Sequence, residues 1–337
     1  MVLFSSGKNI GPRLSTTVFM QAGTHVLATG GFILLLGIQV AVHPWIVRSL
    51  LPADALPSAF IYISEAVKVI LATVMYVIKL WISGSAVPKS LPSSFLSLVL
   101  AIGSLLLLQN FAVAGAQKQL PVVLYNIINQ TKLFSTAFTT GLISRGVPNL
   151  KQLGALAMVF AGAALMVFTP YSDDRALSLS GILLGLIASI FSGLTSTLSE
   201  HVLKLYDADT FFFSASLSSA VVFLCSIGFL IDYLLRGSDS DFSVIQSRGG
   251  LLNACGITDL SSPSLAPVAS AAFGGIIVGK VTKAAGSVRK GFATSLGIIF
   301  SSLIGEATFS WRILVAVPLA FARVTLYSFE FSKIKKS

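Results

Sequence analysis

The segment Tyr125-Asn126-Ile127-Ile128-Asn129-Gln130-Thr131-Lys132 sets five polar side chains and a cation into an otherwise apolar stretch. Tyr125, Asn129 and Lys132 recur at helical spacing, which predicts that they line one face. An aromatic ring, amides from Asn129 and Gln130, and an ammonium suit a ligand with a planar base and phosphates. The competing reading is a hydrogen-bonded patch between helices. A second pair, Glu65 and Lys68, lies three residues apart on one helix face. Charges inside an apolar span cost roughly 2.5–3.5 kcal/mol each, so they need a reason. Either the two neutralise each other structurally, or Lys68 faces a polar cavity and binds an anion with Glu65 tuning it. Gln109 and Asn110 sit deep in another apolar run and are expected at the same cavity. Arg289 and Lys290 precede Gly291-Phe292, with Lys283 seven residues before Lys290. These are ordinary positive charges at a membrane edge, or they make Lys290 a phosphate partner at a helix start, where the dipole favours anions.

Enzyme chemistry finds no comparable cluster. The histidines His25, His43 and His201 have no paired ligand spacing, and Asp173-Asp174 stands without a partner motif. A phosphate-binding loop of the Walker type is absent, so ATP-driven work by this chain is not expected. No cofactor and no metal is expected. Asn129-Gln130-Thr131 is formally a glycosylation acceptor, but its place inside a span argues against use.

The elements that must position these residues follow from composition. Of 337 residues 54% are hydrophobic and only 11% charged, whereas a soluble domain carries about 25% charge. Lipid must therefore cover much of the surface. Crossing the hydrocarbon core takes roughly 20 apolar residues, and ten spans are predicted: Thr24–Val42, Pro57–Trp81, Ser93–Ala116, Pro121–Ser144, Leu150–Thr169, Leu179–Leu203, Thr210–Leu234, Leu265–Lys283, Arg289–Glu306 and Trp311–Phe329. Their breaks are Pro/Gly/Ser or charged clusters. The expected architecture is all-α and integral to the membrane, one transmembrane domain over 1–337, with 236–264 as a flexible surface loop rich in Ser, Asp and Gly. No secretory signal pattern is seen at the N-terminus. Cys225 and Cys255 give no disulfide framework. The net charge of +10 is read as loop asymmetry and intramembrane cations, so nucleic acid is not an expected partner. With a cytosolic N-terminus, thirteen Lys/Arg fall on the cytosolic side and six opposite, while Lys68, Lys132, Lys280 and Arg323 lie within spans. That bias predicts both termini in the cytosol.

A shift of 161 residues lays Leu142-Ile143 on Leu303-Ile304, Phe160-Ala161 on Phe321-Ala322 and Leu165 on Leu326. It offsets the chain by five spans, an odd number, so the halves (about 18–170 and 178–331) would be inverted repeats. In that architecture the ligand site lies at the repeat interface near mid-membrane.

The same residues carry a family resemblance. Glu65-Ala66-Val67-Lys68 resembles the E-x-x-K of the nucleotide-sugar transporters, the group that includes UDP-galactose, UDP-N-acetylglucosamine and CMP-sialic acid carriers. Gln109-Asn110 resembles their Q-N-N, and Tyr125 through Lys132 their Y-Q-V-T-Y-Q-L-K, keeping Tyr125, Gln130 and Lys132. Ser199 to Lys204 resembles F-E-K-x-L-K, keeping Glu200, Leu203 and Lys204. Gly274-Gly275 and Lys283…Lys290-Gly291-Phe292-Ala293-Thr294-Ser295 resemble G-G-L…K-Y-x-D-N-x-x-K-G-F-A-T-S. Gly286-Ser287 replaces the D-N of that motif, which brings Ser287 into the candidate set. Phe211 to Ser216 replaces the family's W-x-R-N-x-Q, and Ser270-Ala271-Ala272 its N-Q-A. The resemblance implies exchange of a nucleotide sugar for the matching nucleoside monophosphate across the Golgi or endoplasmic reticulum membrane. Lys132, Lys290 and Lys68 would neutralise phosphate, and Tyr125, Asn129, Gln130 and Asn110 would read base or ribose. The departures leave the sugar open. They also leave open another phosphorylated-metabolite or organic-anion exchanger of the same fold, or a non-transporting scaffold. Candidate partners beyond substrate and bilayer are a second copy, as a homodimer, and a coat protein reading the C-terminal lysines Lys333 and Lys335, which fit a K-x-K-x-x retrieval pattern.

Overall fold

A computed structural model describes residues 13–84, 92–120, 125, 128–129, 131–143, 154, 157, 178–294 and 297, with side chains from 30 onward. Its long elements are α1 (Arg13–Leu50), α2 (Pro57–Ser83), α3 (Ser93–Gln119), α4 (Lys132–Ile143), α5 (Leu179–Leu205) and α6 (Thr210–Arg236). Two short helices follow, α7 (Asp241–Ser247) and α8 (Leu251–Ala254), then α9 (Leu265–Ala285). After a break at Gly286 the chain is helical again over 287–294. No strand occurs among the described residues. Six of these helices are long and apolar enough to cross a bilayer: Gly30–Leu50 within α1, α2, α3, α5, Thr210–Asp239 and α9. The chain is an all-α integral membrane protein. The fifth predicted span (apart from Gly154 and Ala157), the tenth, Arg323 and the C-terminal lysines lie outside the described residues.

Helix starts follow local chemistry. Pro57 opens α2, where its missing N–H costs nothing. Ser178 caps α5 by accepting the Gly181 N–H at 3.2 Å, and Asp209 caps α6 by accepting from Phe211 and Phe212 at 2.8 and 3.2 Å. Predicted starts at Pro57, Ser93, Leu179, Thr210 and Leu265 coincide with the observed ones, and the helices run two to three residues further at their ends. The first helix is longer than expected, continuing from Arg13 through Pro44 to Leu50.

The helices pack α3 on α5 and α6, α2 on α6 and α9, α1 on α9, and α4 on α5. Small residues permit the close approaches: a Cβ built on Gly193 of α5 would strike the Ser135 backbone and side chain of α4. One core joins α3, α5 and α6 through Phe95, Val99, Ile102, Leu203 and Phe213. In a bilayer such seams rest on packing and hydrogen bonds, because lipid is as apolar as leucine.

Residues 236–264, expected as a flexible loop, contain a 3₁₀ turn, α7 and α8. Ile245, Ala254, Cys255 and Ile257 of this stretch are buried with Ala59 and Ile63 of α2 and Val268 of α9. Its polar residues act as punctuation, since Ser240 caps α7 and Asp241 accepts from Ser58 at 2.7 Å. The composition that reads as disorder is here the capping chemistry of short helices, with apolar residues tucked between. Burial raises the Cys255 thiol pKa to about 11, which keeps it an inert core residue.

Candidate functional site

Two cavities stand out. The larger, about 600 Å³, lies between α2, α6 and α7 and is walled by Tyr62, Phe229, Tyr233 and Phe242, with no charged residue lining it. The second, about 340 Å³, is enclosed by α2, α3, α4, α5, α6, α9 and the helix over 287–294. It gathers Glu65, Lys68, Gln109, Asn110, Lys132, Ser287 and Lys290, residues more than 200 positions apart in sequence. The pocket fits a ligand-sized site with few convergent polar groups.

At the α2 wall, Lys68 Nζ donates to Glu65 Oε1 at 2.6 Å, with both side chains nearly buried. Among described atoms the second carboxylate oxygen, Oε2, has no partner. Gly275 of α9 leaves room for the Lys68 stem, which a Cβ there would strike. On α3, the Gln109 Oε1 lies 3.1 Å from the Thr195 hydroxyl of α5, which fixes the amide. Across the cavity stand Lys132, the first residue of α4, and Lys290, whose ammonium donates to the Ser196 hydroxyl. Among the described residues neither lysine pairs with a carboxylate. Three ammoniums and one carboxylate line the cavity, so it carries a net charge of +2.

Three expected site residues are placed away from the cavity. Tyr125 is buried against Ala116, Leu120 and Ile128, in a seam between α3 and α5. Asn129 is helical and half-buried but does not line the cavity. The shared face predicted for Tyr125, Asn129 and Lys132 assumed one unbroken helix. The Thr131 N–H instead bonds the Ile128 carbonyl at 2.9 Å, a tighter turn that shifts the helical phase before Lys132. Gln130 lies outside the described residues. Lys283 is turned away, with Nζ 2.8 Å from Asp207 Oδ1 and 2.9 Å from the Ala208 carbonyl. Lys280, another in-span cation, sits 3.8 Å over the Phe211 ring.

Sequence reasoning missed the hydroxyl ladder of α5. Ser192, Thr195, Ser196 and Ser199 all line the cavity, joined by Ser214 of α6 and Thr282 of α9. Their spacing of three and four along α5 was the available signal. Next to the ladder, Thr139 and Thr197 hydroxyls meet at 2.9 Å, and Thr140 bridges Thr197 and Ser287 at 3.2 and 3.3 Å. This seam ties α4, α5 and the helix over 287–294.

One end of the bundle is laced by charges. Lys79 of α2 pairs with Asp209, and Lys283 of α9 with Asp207. Lys283's hydrogen bond and charge hold the exposed Asp207 carboxyl below its usual range. Burial works against the Asp209 carboxylate, but hydrogen bonds from Lys79, Phe212 and Phe211 outweigh it and hold its pKa down.

Comparison with known proteins agrees with this geometry. A family model described as nucleotide-sugar transporter matches residues 52–328. The chain is 29% identical over 315 residues to the UDP-N-acetylglucosamine transporter ROCK1 of Arabidopsis thaliana, covering 87% of this chain and 90% of that one. It is 26% identical over 247 residues to the UDP-galactose translocator of Homo sapiens, covering 69% of this chain and 58% of the relative. A solved crystal structure matches with a TM-score of 0.62 at 13% identity, over 88% of this chain and 95% of that one, a likeness of fold.

Proposed function

Because the chain belongs to the nucleotide-sugar transporter family, we propose that it exchanges a pyrimidine nucleotide sugar for the corresponding nucleoside monophosphate by alternating access. The observation that carries this reading is the net +2 cavity formed by Lys68, Lys132, Lys290 and Glu65. A pyrophosphate diester carries a matching pair of negative charges, as does a nucleoside monophosphate at neutral pH to within its second ionisation. Lys132 and Lys290, unpaired with carboxylate among the described residues, take the phosphates. Gln109 and Asn110, with the hydroxyls of α5, offer hydrogen bonds to ribose or sugar. Only non-covalent contacts are used, so the work is done by differential affinity between two arrangements of the bundle. The relatives named above are UDP-sugar carriers, which favours a UDP-sugar; CMP-sialic acid stays the alternative that the sequence resemblance allows.

The direct test is uptake into liposomes containing the purified protein and preloaded with UMP, CMP or GMP, against a panel of nucleotide sugars. Trans-stimulation by UMP and by no other monophosphate is the expected outcome. No stimulation with any pair would overturn the reading. The proposed location is the Golgi membrane, with the endoplasmic reticulum as the alternative and both termini cytosolic. Lys333 and Lys335 bear on that choice: changing both to serine should move the protein forward if a cytosolic coat retrieves it, and an unchanged distribution would assign them to anchoring only.

A further inference from the structure

The helix over 287–294 presents Lys290 to the cavity, yet its start has no cap of its own. The Lys290 N–H bonds the Gly286 carbonyl at 3.1 Å, so Gly286 occupies the capping position. Glycine there has no side chain to satisfy the exposed N–H groups. The Ser287 hydroxyl lies 3.3 Å from that of Thr140 and also meets the Glu200 carboxylate. The missing acceptor comes from another helix: Glu200 of α5 accepts the Ser287 N–H on Oε2 at 2.6 Å, while its Oε1 pairs with Lys204. Gly286 has φ +88°, and a Cβ there would lie 3.0 Å from Glu200 Oε1. Glycine takes this left-handed backbone without strain and leaves the carboxylate room to approach.

One turn before Glu200 on the same helix, Ser196 accepts from Lys290 Nζ. Two residues of α5, four apart, therefore hold the beginning of the 287–294 helix and the tip of its cavity-facing lysine. The carboxylate also occupies the positive end of that helix, where an anion would otherwise bind. A substrate phosphate is left with the Lys290 ammonium, not the helix terminus. On the other side of the Gly286 break, Asp207 holds Lys283, so both arms of the corner are tied to the C-terminal end of α5 and the turn after it. Glu200 does not line the cavity itself.

We infer that Glu200 is a positioning residue for nucleotide binding, supplying the cap that sets the 287–294 helix and hence where Lys290 meets phosphate. This rests on the reading of Lys290 as a phosphate partner. The test is equilibrium binding of UMP and of CMP to the purified full-length protein, with thermal stability measured in parallel. The variants are Glu200→Ala, Glu200→Gln, Lys290→Ala and the double Glu200→Ala/Lys290→Ala. Glu200→Ala should weaken binding of the better-bound monophosphate about tenfold, the scale of a lost helix cap converted to affinity. Glu200→Gln keeps an acceptor for the Ser287 N–H and should recover most of that loss. In the Lys290→Ala background, Glu200→Ala should add no further weakening, because its effect passes through the lysine. A purely structural role would instead lower melting temperature in both backgrounds and leave the affinity of the folded protein unchanged, which would overturn the inference. Should Glu200→Ala not fold, Glu200→Met, which keeps the side-chain volume but offers the Ser287 N–H no carboxylate or amide acceptor, decides it through the same affinity comparison. If Lys290→Ala binds normally, the phosphate role of Lys290 fails and this inference with it. If Lys290→Ala is weakened while Glu200→Ala is not, only the positioning role fails.

Discussion

Removing one member of the Glu65–Lys68 pair should damage this protein more than removing both. The two groups lie 2.6 Å apart, with side chains 9% and 12% exposed. At that distance and an effective dielectric near 20, the gross attraction is about 6 kcal/mol. Desolvation of both ions offsets most of it, so the pair as a whole contributes little net stability. A single substitution is different, because the surviving charge keeps its desolvation cost and loses its partner, at about 3–5 kcal/mol. Glu65→Gln would leave the Lys68 ammonium against the glycine surface of α9, and Lys68→Met would leave a carboxylate whose second oxygen is already without a described partner.

The assay is thermal stability in detergent for the wild type, both single variants and the double, assembled as a double-mutant cycle. A coupling energy of about 3 kcal/mol is expected, against the few tenths typical of exposed helical pairs. Single variants should melt roughly 5–10 °C lower, at the small end of the shift per kcal/mol seen in large domains, and the double should recover most of that. If the losses of the singles simply add in the double, the pair is not energetically coupled and the reasoning fails. Uptake then separates structure from function: a folded double variant that transports nothing assigns Lys68 to the substrate, whereas full activity assigns the pair to structure alone.

Lys132→Ala should abolish exchange while insertion and folding persist, and Lys132→Arg should restore it only in part because a planar fork replaces a compact charge; near-normal uptake by the alanine variant would remove Lys132 from the mechanism. Gly193→Ala should destabilise the α4–α5 contact by about 1–3 kcal/mol, the usual cost of overpacking, since the added methyl meets the Ser135 backbone; unchanged melting would show that the helices separate freely. The Asp209 carboxyl has its pKa depressed in the folded protein, so its stabilising contribution is present above the ordinary aspartate range and is lost as pH falls through the lowered value. Asp209→Asn should therefore reduce stability at neutral pH and flatten the wild type's further loss on acidification below about pH 4, and parallel acid profiles for the two proteins would contradict the pairing with Lys79.

Hydropathy located the six described helices long enough to cross a bilayer, because lipid demands long apolar runs and the breaks fall at Pro, Gly and capping residues such as Ser178 and Asp209. The charged members of the cavity were legible for the same reason: Lys68, Lys132 and Glu65 are conspicuous in a span where charge is costly. Tyr125, expected on the face of Lys132, packs instead in the seam with Ala116 and Leu120, because periodicity presumes continuous helix and the Thr131 N–H bonds the Ile128 carbonyl three residues back. The hydroxyl ladder of α5 stayed invisible for a different reason. Serine and threonine are common in transmembrane helices, where their hydroxyls return to carbonyls one turn back, as Thr195 and Thr197 do to Phe191 and Gly193. Such residues cost so little in a span that composition cannot separate those that line a cavity from those that pack a seam. On α5 they do both. Thr197 and Gly193 close the contact with α4, while Thr195, Ser196 and Ser199, on the neighbouring stripe, face the cavity. The helix that builds the seam is thus the one that orients Gln109 through Thr195 and holds Lys290 through Ser196, so the groups proposed to meet the substrate are anchored on the same helix that packs on α4.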